Sequence, residues 1–244
     1  AIGFHTFKNK DKVRVYMSIR IDSCRSCGSQ KLEIVFDVGD LAITVRFPKA
    51  GDPDPFSSPL ELLYCKDCSL VQLAHTIDSD ELFRNEYGYR SGINASMRAH
   101  LQGIYQAVAS KISLSNSDTV LDIGSNDSTL LQCYPTYGPR RIGIDPTSEQ
   151  FAKYYPPEIV RVPDYFTKQV FSAASDAPAK VITSISMFYD LHDPNQFVSD
   201  IAASLHTDGL WVLEQSYVLR MLEQNAYDTI CHEHLEYYGL KQIV

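Results

Sequence analysis

Residues 119–131 read TVLDIGSNDSTLL, and this stretch decides the fold. Thr119 to Asp122 have the apolar, β-branched bias of a buried strand, and that strand ends in an acid. Gly124, Ser125, Asn126 and Asp127 then make a tight polar turn, and residues 128–131 read as the start of a helix. A strand feeding a glycine-containing turn and a helix N-terminus is the first unit of an open α/β sheet, where ligands collect at the carboxyl ends of the strands. A second strand, RIGID at 141–145, also ends in an acid. The interval from Asp122 to Asp145 accommodates a helix and a return to the neighbouring strand. An acid at that second strand end can accept hydrogen bonds from both hydroxyls of a ribose.

The dinucleotide fingerprint needs three glycines, G-x-G-x-x-G, so that a pyrophosphate can lie against bare backbone. Only Gly124 is present here, with Asn126 and Ser128 at the places of further glycines. Asp122 puts a negative charge beside the turn, which suits a cationic or amine-bearing ligand better than a diphosphate. The stretch resembles motif I of the class I S-adenosylmethionine (SAM)-dependent methyltransferases, and RIGID resembles their acidic second motif. In that family the stretch usually reads DIGSNDG, and Ser128 stands at the last glycine. A small hydroxyl there can still cap a helix, while crowding the amino-acid end of the cofactor. The resemblance implies a Rossmann-like class I methyltransferase sheet, with Asp122, Gly124, Asn126 and Asp145 as cofactor contacts.

Downstream the alternation continues. A helix is expected over 148–155, a third strand over 159–162, a helix over 168–174, a fourth strand over 180–188, a helix over 195–205 and a fifth strand over 210–215. Such β/α alternation argues a mainly parallel sheet covered on both faces. Asp164, at the end of the third strand, is placed to accept an exocyclic adenine amine. Phe188, at the end of the fourth, is a further candidate cofactor contact.

With 244 residues, 44% of them hydrophobic, the chain fits one large domain or two small ones. The net charge of −8 and the lack of a polybasic run argue against a nucleic-acid partner. No apolar run approaches the roughly 20 residues of a membrane span. A cytoplasmic setting is expected, so the six cysteines are read as thiols or metal ligands rather than disulfides.

Cys24-Arg-Ser-Cys27-Gly28 and Cys65-Lys-Asp-Cys68 are two CxxC knuckles. Gly28 supplies the positive φ that turns backbone amides toward sulfur. Four thiolates suit one tetrahedral Zn²⁺ and leave no open position, so the metal is read as structural. Between the knuckles, strands are expected over 32–36 and 41–47 and a loop over 51–59, an insertion on a zinc ribbon. The expected organisation is a zinc-ribbon lobe over 1–77, a helical linker and lid over 78–118 and the sheet domain over 119–244. The linker holds a short helix at 78–84, an aromatic loop, EYGYRSG at 86–92, and an amphipathic helix over 95–111 capped by Asn94. Met97, Leu101, Ile104, Tyr105 and Val108 share one face of that helix. Tyr87 and Tyr89 sit in the Gly-hinged loop, a candidate substrate lid.

The final stretch, EQSYVLRMLEQNAYDTICHEHLEYYGL at 214–240, crowds Cys231, His232, Glu233 and His234 together. On a helix His232 and His234 would not face each other, whereas on an extended segment they would share a face. General acid–base work is the attractive reading, because histidine titrates near neutrality.

Taken together, the cysteine-ribboned lobe, DIGSND, SMFYDL and YDTICHEHLEYY resemble the SAM-dependent sugar C-methyltransferases, over nearly the whole chain from Cys24. The resemblance implies C-methylation of a nucleotide-linked keto-sugar in deoxysugar biosynthesis. It implies His234 as base, Glu233 as the adjacent acid, Tyr87 or Tyr89 as the active-site tyrosine, and Cys24, Cys27, Cys65 and Cys68 as zinc ligands. Family members can carry tyrosine at the position of Cys231 and histidine at that of Asp190. They also continue into a C-terminal domain that grips the sugar nucleotide, whereas this sequence stops at Val244. A missing domain or a partner would then complete the substrate site. O-methylation on the same fold, and a non-catalytic methyltransferase-like binding module, are the competing expectations.

Overall fold

The computed structural model describes residues 2–9, 12–84 and 87–244, with side chains from Ser18 onward. The contacts divide the chain into two compact units. One comprises residues 1–88, 189–195 and 215–244, and the other residues 89–188 and 196–214.

The second unit is the sheet. Its strands are β7 (Thr119–Ile123), β8 (Arg140–Ile144), β9 (Ile159–Val162), β10 (Ala179–Ile185) and β11 (Leu205–Glu214). They lie in the order β11-β10-β7-β8-β9, and every pairing is parallel. All five β7 residues are buried, as a strand flanked on both sides must be. The strand order reverses at β7: the chain runs outward through β8 and β9, then returns to β10 on the other side. The carboxyl ends of β7 and β10 therefore flank the topological switch point, where this class of sheet binds its ligands. Asp122 sits level with Gly143 on one side and Thr183 on the other.

The core beneath the switch point packs Val120, Val181, Leu131, Tyr134 and Ile159 with Val108. Each fully buried aliphatic side chain of this kind contributes about 1.5–3 kcal/mol. Val108 belongs to α1 (Ala95–Lys111), which buries Leu101 and Val108 on the expected face. Asn94 has the extended backbone of an N-cap but makes no side-chain capping bond. Its carbonyl takes the Arg98 amide instead. α2 (Lys168–Ala174) and α3 (Pro194–Ser204) follow the expected pattern, and Thr167 caps α2 through the Val170 amide.

Two expected helices do not form. After β7 the chain makes turns and a single 3₁₀ turn, Leu131–Cys133. After β8 it makes two, Pro146–Glu149 and Ala152–Tyr154. Ser128 takes φ 64°, a left-handed conformation that no α-helix can contain. This also explains why glycine is customary at its position.

The first unit is antiparallel. β3 (Leu32–Ala42), β4 (Ser57–Cys65), β5 (Val71–Leu73) and β12 (Glu236–Tyr237) form one sheet in the order β12-β5-β4-β3. β1 (Ile2–Asn9), β2 (Lys12–Arg20) and β6 (His75–Ile77) form the other. Of the strand expected over 41–47, only residues 41–42 are strand, as the tail of the longer β3, and residues 43–47 are turn and coil; residues 57–59 of the expected loop open β4. Pro59 is tolerated there because β5 pairs with β4 only over Leu62–Tyr64. Segment 215–244, with α4 (Val218–Gln224) and α5 (Leu240–Ile243), belongs to this unit. Leu235 and Tyr237 join Leu60, Leu62 and Leu73 in one core cluster. No helix among the described residues is long and apolar enough to cross a membrane.

Candidate active site and metal centre

The two knuckles are built alike. The amide of Gly28 bonds the Cys24 carbonyl, and the amide of Ser69 bonds the Cys65 carbonyl, both at 2.8 Å. Gly28 has φ 71° and Ser69 φ 70°, so each turn reverses through a left-handed residue directly after its second cysteine. Cys24 Sγ lies 3.6 Å from Cys68 Sγ, and Cys27 Sγ lies 3.6 Å from Cys65 Sγ. Four sulfurs about 2.3 Å from a tetrahedral zinc stand about 3.8 Å apart, so the cluster fits that metal. Burial opposes ionisation of Cys65, but the amides of Cys68 and Asp67 outweigh it and bring the thiol down to about 7.

This centre is tied to the tail. Gln242 Nε2 donates to the Cys68 carbonyl at 2.6 Å. Arg25, inside the first knuckle, donates to the Leu73 carbonyl and the Thr76 hydroxyl, and lies 3.6 Å from the buried Glu236 carboxylate on β12.

At the mouth of the parallel sheet, Gly124 has φ 72°, and a Cβ on it would lie 3.1 Å from Met187 Cγ. Asp145 Oδ2 accepts the Asn126 amide at 2.7 Å, and Oδ1 accepts the Thr147 amide at 2.6 Å. Each oxygen keeps a lone pair, which suits ribose hydroxyl donors. Burial pushes this carboxyl up, against the pull of those bonds. Asp122 is also buried, bonded to Thr183 Oγ1 at 2.5 Å. Desolvation, with the Asp145 charge adding to it, raises its pKa to about 7.

Gly124, Asn126 and Asp145 thus come together around one turn, with Asp122 behind it. Asp164 is exposed and takes the Tyr165 amide. Phe188 is buried edge-on against Phe197 and Trp211.

The same turn holds part of the expected lid. Asn126 Oδ1 accepts the Ser91 amide, Asn126 Nδ2 donates to the Tyr89 carbonyl, and Asp127 accepts the Gly92 amide. Tyr89 is 43% exposed. Tyr87 is half-buried against Phe83, at 5.7 Å between ring centroids. Asp127 was legible only as part of the polar turn. Its anchoring role depends on residues 35 positions upstream, for which the sequence gives no local signal.

In the tail, a turn closed by the His234 amide on the Cys231 carbonyl separates the two histidines. They do not share a face. His232 is 2% exposed and its Nε2 donates to the Ser58 carbonyl, a core contact, while its Nδ1 is buried with no hydrogen-bond partner among the described residues. His234 Nδ1 donates to the Thr229 carbonyl at 2.8 Å, which fixes the tautomer and leaves the Nε2 lone pair free. The Tyr189 ring packs edge-on to this imidazole at 4.3 Å. Burial lowers the proton affinity of His234, against the Thr229 carbonyl and the Glu233 charge.

The Glu233 carboxylate accepts the Thr44 hydroxyl, and Thr44 Oγ1 in turn accepts the His232 amide. Asp190 Oδ1 is buried without a hydrogen-bond partner, and burial together with the Glu233 and Glu236 charges pushes its carboxyl well above the usual range. The sequence marks this group only as a departure from the family pattern it resembles.

Residues 96–244 match the family profile described as "Methyltransferase domain". The chain belongs to that methyltransferase family. Residues 24–83 match a second profile, "Putative zinc binding domain", which spans all four knuckle cysteines. The methyltransferase's cofactors are accordingly SAM, as methyl donor, and zinc in the four-cysteine centre. The chain is similar to C-methyltransferase NovU of Streptomyces niveus, at 29% identity over 226 residues, covering 90% of this chain and 53% of that protein. It therefore spans about half the length of that relative. Among solved structures, YcgJ of Bacillus subtilis aligns with a TM-score of 0.43 at 17% identity, covering 59% of this chain and 64% of that one. The plantazolicin methyltransferase BpumL aligns with a TM-score of 0.41 at 15% identity, covering 54% and 51%.

Proposed function

We propose that this methyltransferase alkylates a carbon beside the ketone of a nucleotide-linked keto-sugar, in a cytoplasmic deoxysugar pathway. The observation that carries the reading is the His234 Nδ1 bond to Thr229, which presents Nε2 as a neutral, oriented base. When bound, SAM supplies an electrophilic sulfonium methyl. Asp145 would hold its ribose hydroxyls, and the Gly124–Asn126 turn would pass close beneath it. Asp122, Asp164 and Phe188 complete the proposed cofactor contacts.

His234 would take the proton from the carbon next to the ketone, and bound SAM would supply the methyl to that carbon, its sulfonium leaving as the thioether of S-adenosylhomocysteine. A positioned base of this kind contributes roughly 10²–10⁴-fold. Glu233 stabilises the imidazolium that forms or serves as the alternate base. The hydroxyl of Tyr87 or Tyr89 donates to the enolate oxygen, in the way that preorganised donors stabilise developing charge. The name of the Streptomyces relative supports carbon as the acceptor atom. A domain outside this chain, or a partner, would supply further grip on the nucleotide.

Incubation with labelled SAM and a keto-sugar nucleotide in D₂O tests the reading. Deuterium entering recovered, unmethylated keto-sugar at the carbon that accepts the methyl supports carbon chemistry. Methyl transfer with no exchange and an O-methyl product favours a hydroxyl acceptor. SAM binding with no turnover on any keto-sugar nucleotide favours a binding module.

A further inference from the structure

The tail holds a second cluster of metal-type donors, separate from the four knuckle cysteines. Cys231 Sγ, a Glu233 carboxylate oxygen and a ring nitrogen of His234 all lie within 4.8 Å of one another. Ligand atoms around a tetrahedral zinc stand about 3.3–3.8 Å apart for bond lengths of about 2.0–2.3 Å. A metal would draw the three donors in to that spacing, with Cys231 Sγ leaving the Thr229 carbonyl it faces at 3.5 Å. The turn between the Cys231 carbonyl and the His234 amide holds the three residues in place, and the Thr44 hydroxyl holds Glu233. His234 also shows the outer contact typical of a coordinating imidazole, a ring N–H given to a backbone carbonyl. Asp190 lies within electrostatic reach of both Glu233 and Cys231, with one buried oxygen that no donor satisfies. The Cys231 thiol, the Glu233 carboxylate and the His234 imidazole are donors of the kinds a borderline-soft cation takes.

We infer that Cys231, Glu233 and His234 form a second divalent-metal site, of the borderline-soft class that includes Zn²⁺ and Co²⁺, open at its fourth position. One thiolate, one imidazole and one carboxylate suit such ions and not Mg²⁺ or Ca²⁺, which prefer all-oxygen shells. With three protein ligands instead of four thiolates, this site binds more weakly than the knuckle centre and exchanges its metal. Binding stands on the geometry alone. Its consequence rests on the proposed base: a metal at this site occupies the His234 imidazole, so zinc beyond one equivalent inhibits methyl transfer.

The test is a Co²⁺ titration of the full, zinc-loaded chain under reducing, anaerobic conditions, followed by the thiolate-to-cobalt charge-transfer band. The site predicts one further equivalent of cobalt with a thiolate band that survives in Cys133→Ser and is lost in Cys231→Ser. Removing even an outer partner of a metal ligand costs roughly 10–100-fold in affinity, so Glu233→Gln, which keeps the thiol, should weaken binding by at least about tenfold. Retention of the knuckle zinc shows that each variant is folded, and Glu233→Gln carries the test if Cys231→Ser loses it. No thiolate band in the wild type, a band unchanged in Cys231→Ser, or unchanged affinity in Glu233→Gln overturns the site. Inhibition of turnover by added zinc is read separately, so its absence beside a confirmed cobalt band counts against the His234 base and not against the metal site.

Discussion

The imidazole of His234 gives its Nδ1 proton to the carbonyl oxygen of Thr229 across 2.8 Å. The two residues stand only five positions apart, so the ring is oriented by its own loop. Desolvation, the largest influence on the ring, lowers its pKa below the ordinary 6.5. A base must be unprotonated to act, so activity is lost as pH falls through the folded-state pKa. The acid limb of kcat/KM should therefore have its midpoint below 6.5. The same depression makes the folded state lose stability relative to the unfolded chain as pH drops from 6.5 toward that midpoint. A midpoint above 6.5 would remove His234 from the role.

His234→Ala should reduce turnover by about 10²–10⁴-fold and leave SAM affinity unchanged by calorimetry. Retained turnover would pass the role to another group, with Glu233 the first to examine. His232→Asn should behave differently, because His232 Nε2 bonds the Ser58 carbonyl in the core. It should lower stability, and the protein that remains folded should keep its turnover.

Asp145 has two duties, and its replacement should show both. Asp145→Ala leaves the buried amides of Asn126 and Thr147 without their acceptor, costing about 1–3 kcal/mol for an unsatisfied group. SAM affinity should fall as well, through the lost ribose contacts. Thermal denaturation reads the first effect and calorimetry the second. Full SAM affinity in a destabilised variant would confine Asp145 to holding the turn.

Asp122 titrates near 7 when folded, against 3.8 for an ordinary aspartate. Between those values the folded state binds more protons than the unfolded chain, so folding stability falls as pH rises through this window. Asp122→Asn cannot ionise, so its stability relative to wild type should improve from pH 4 to pH 7, by up to about 4 kcal/mol. Parallel denaturant melts at the two ends of that range check it. A difference independent of pH would show that the carboxyl does not titrate there.

Metal analysis of chelator-washed protein should give about one zinc per chain, held by the four-cysteine centre. Cys65→Ser should abolish this zinc and loosen the antiparallel unit. Gln242 bonds the Cys68 carbonyl, and Arg25 stands by Glu236. Hydrogen exchange should therefore rise in β12 along with β4 and β5. Exchange unchanged in β12 would show that the tail holds without the metal.

What the sequence determined was local or evenly spaced. The strands from β7 to β11 were legible as short apolar runs punctuated by turns, and the inner face of α1 from its 3.6-residue period. The CxxC pairs gave the zinc centre, because two residues between cysteines leave the chain one tight way to present both sulfurs. Tertiary structure decided the rest. Ser128 takes a left-handed turn where a helix start was expected, since the loop must reach Asp145 and residues 89–92 at once. β12 pairs with β5, which draws segment 215–244 into the antiparallel unit, and no local pattern marks a partner so far away in sequence. Burial sorted His232 from His234, sending one to the Ser58 carbonyl and the other to Thr229, although the two stand in nearly identical sequence surroundings. Proton affinity and metal affinity depend on what the folded chain places around a side chain: Asp190 meets Glu233 and Glu236, and Glu233 meets Thr44, from distant parts of the chain, whereas the His234 ring is held by Thr229 in its own loop.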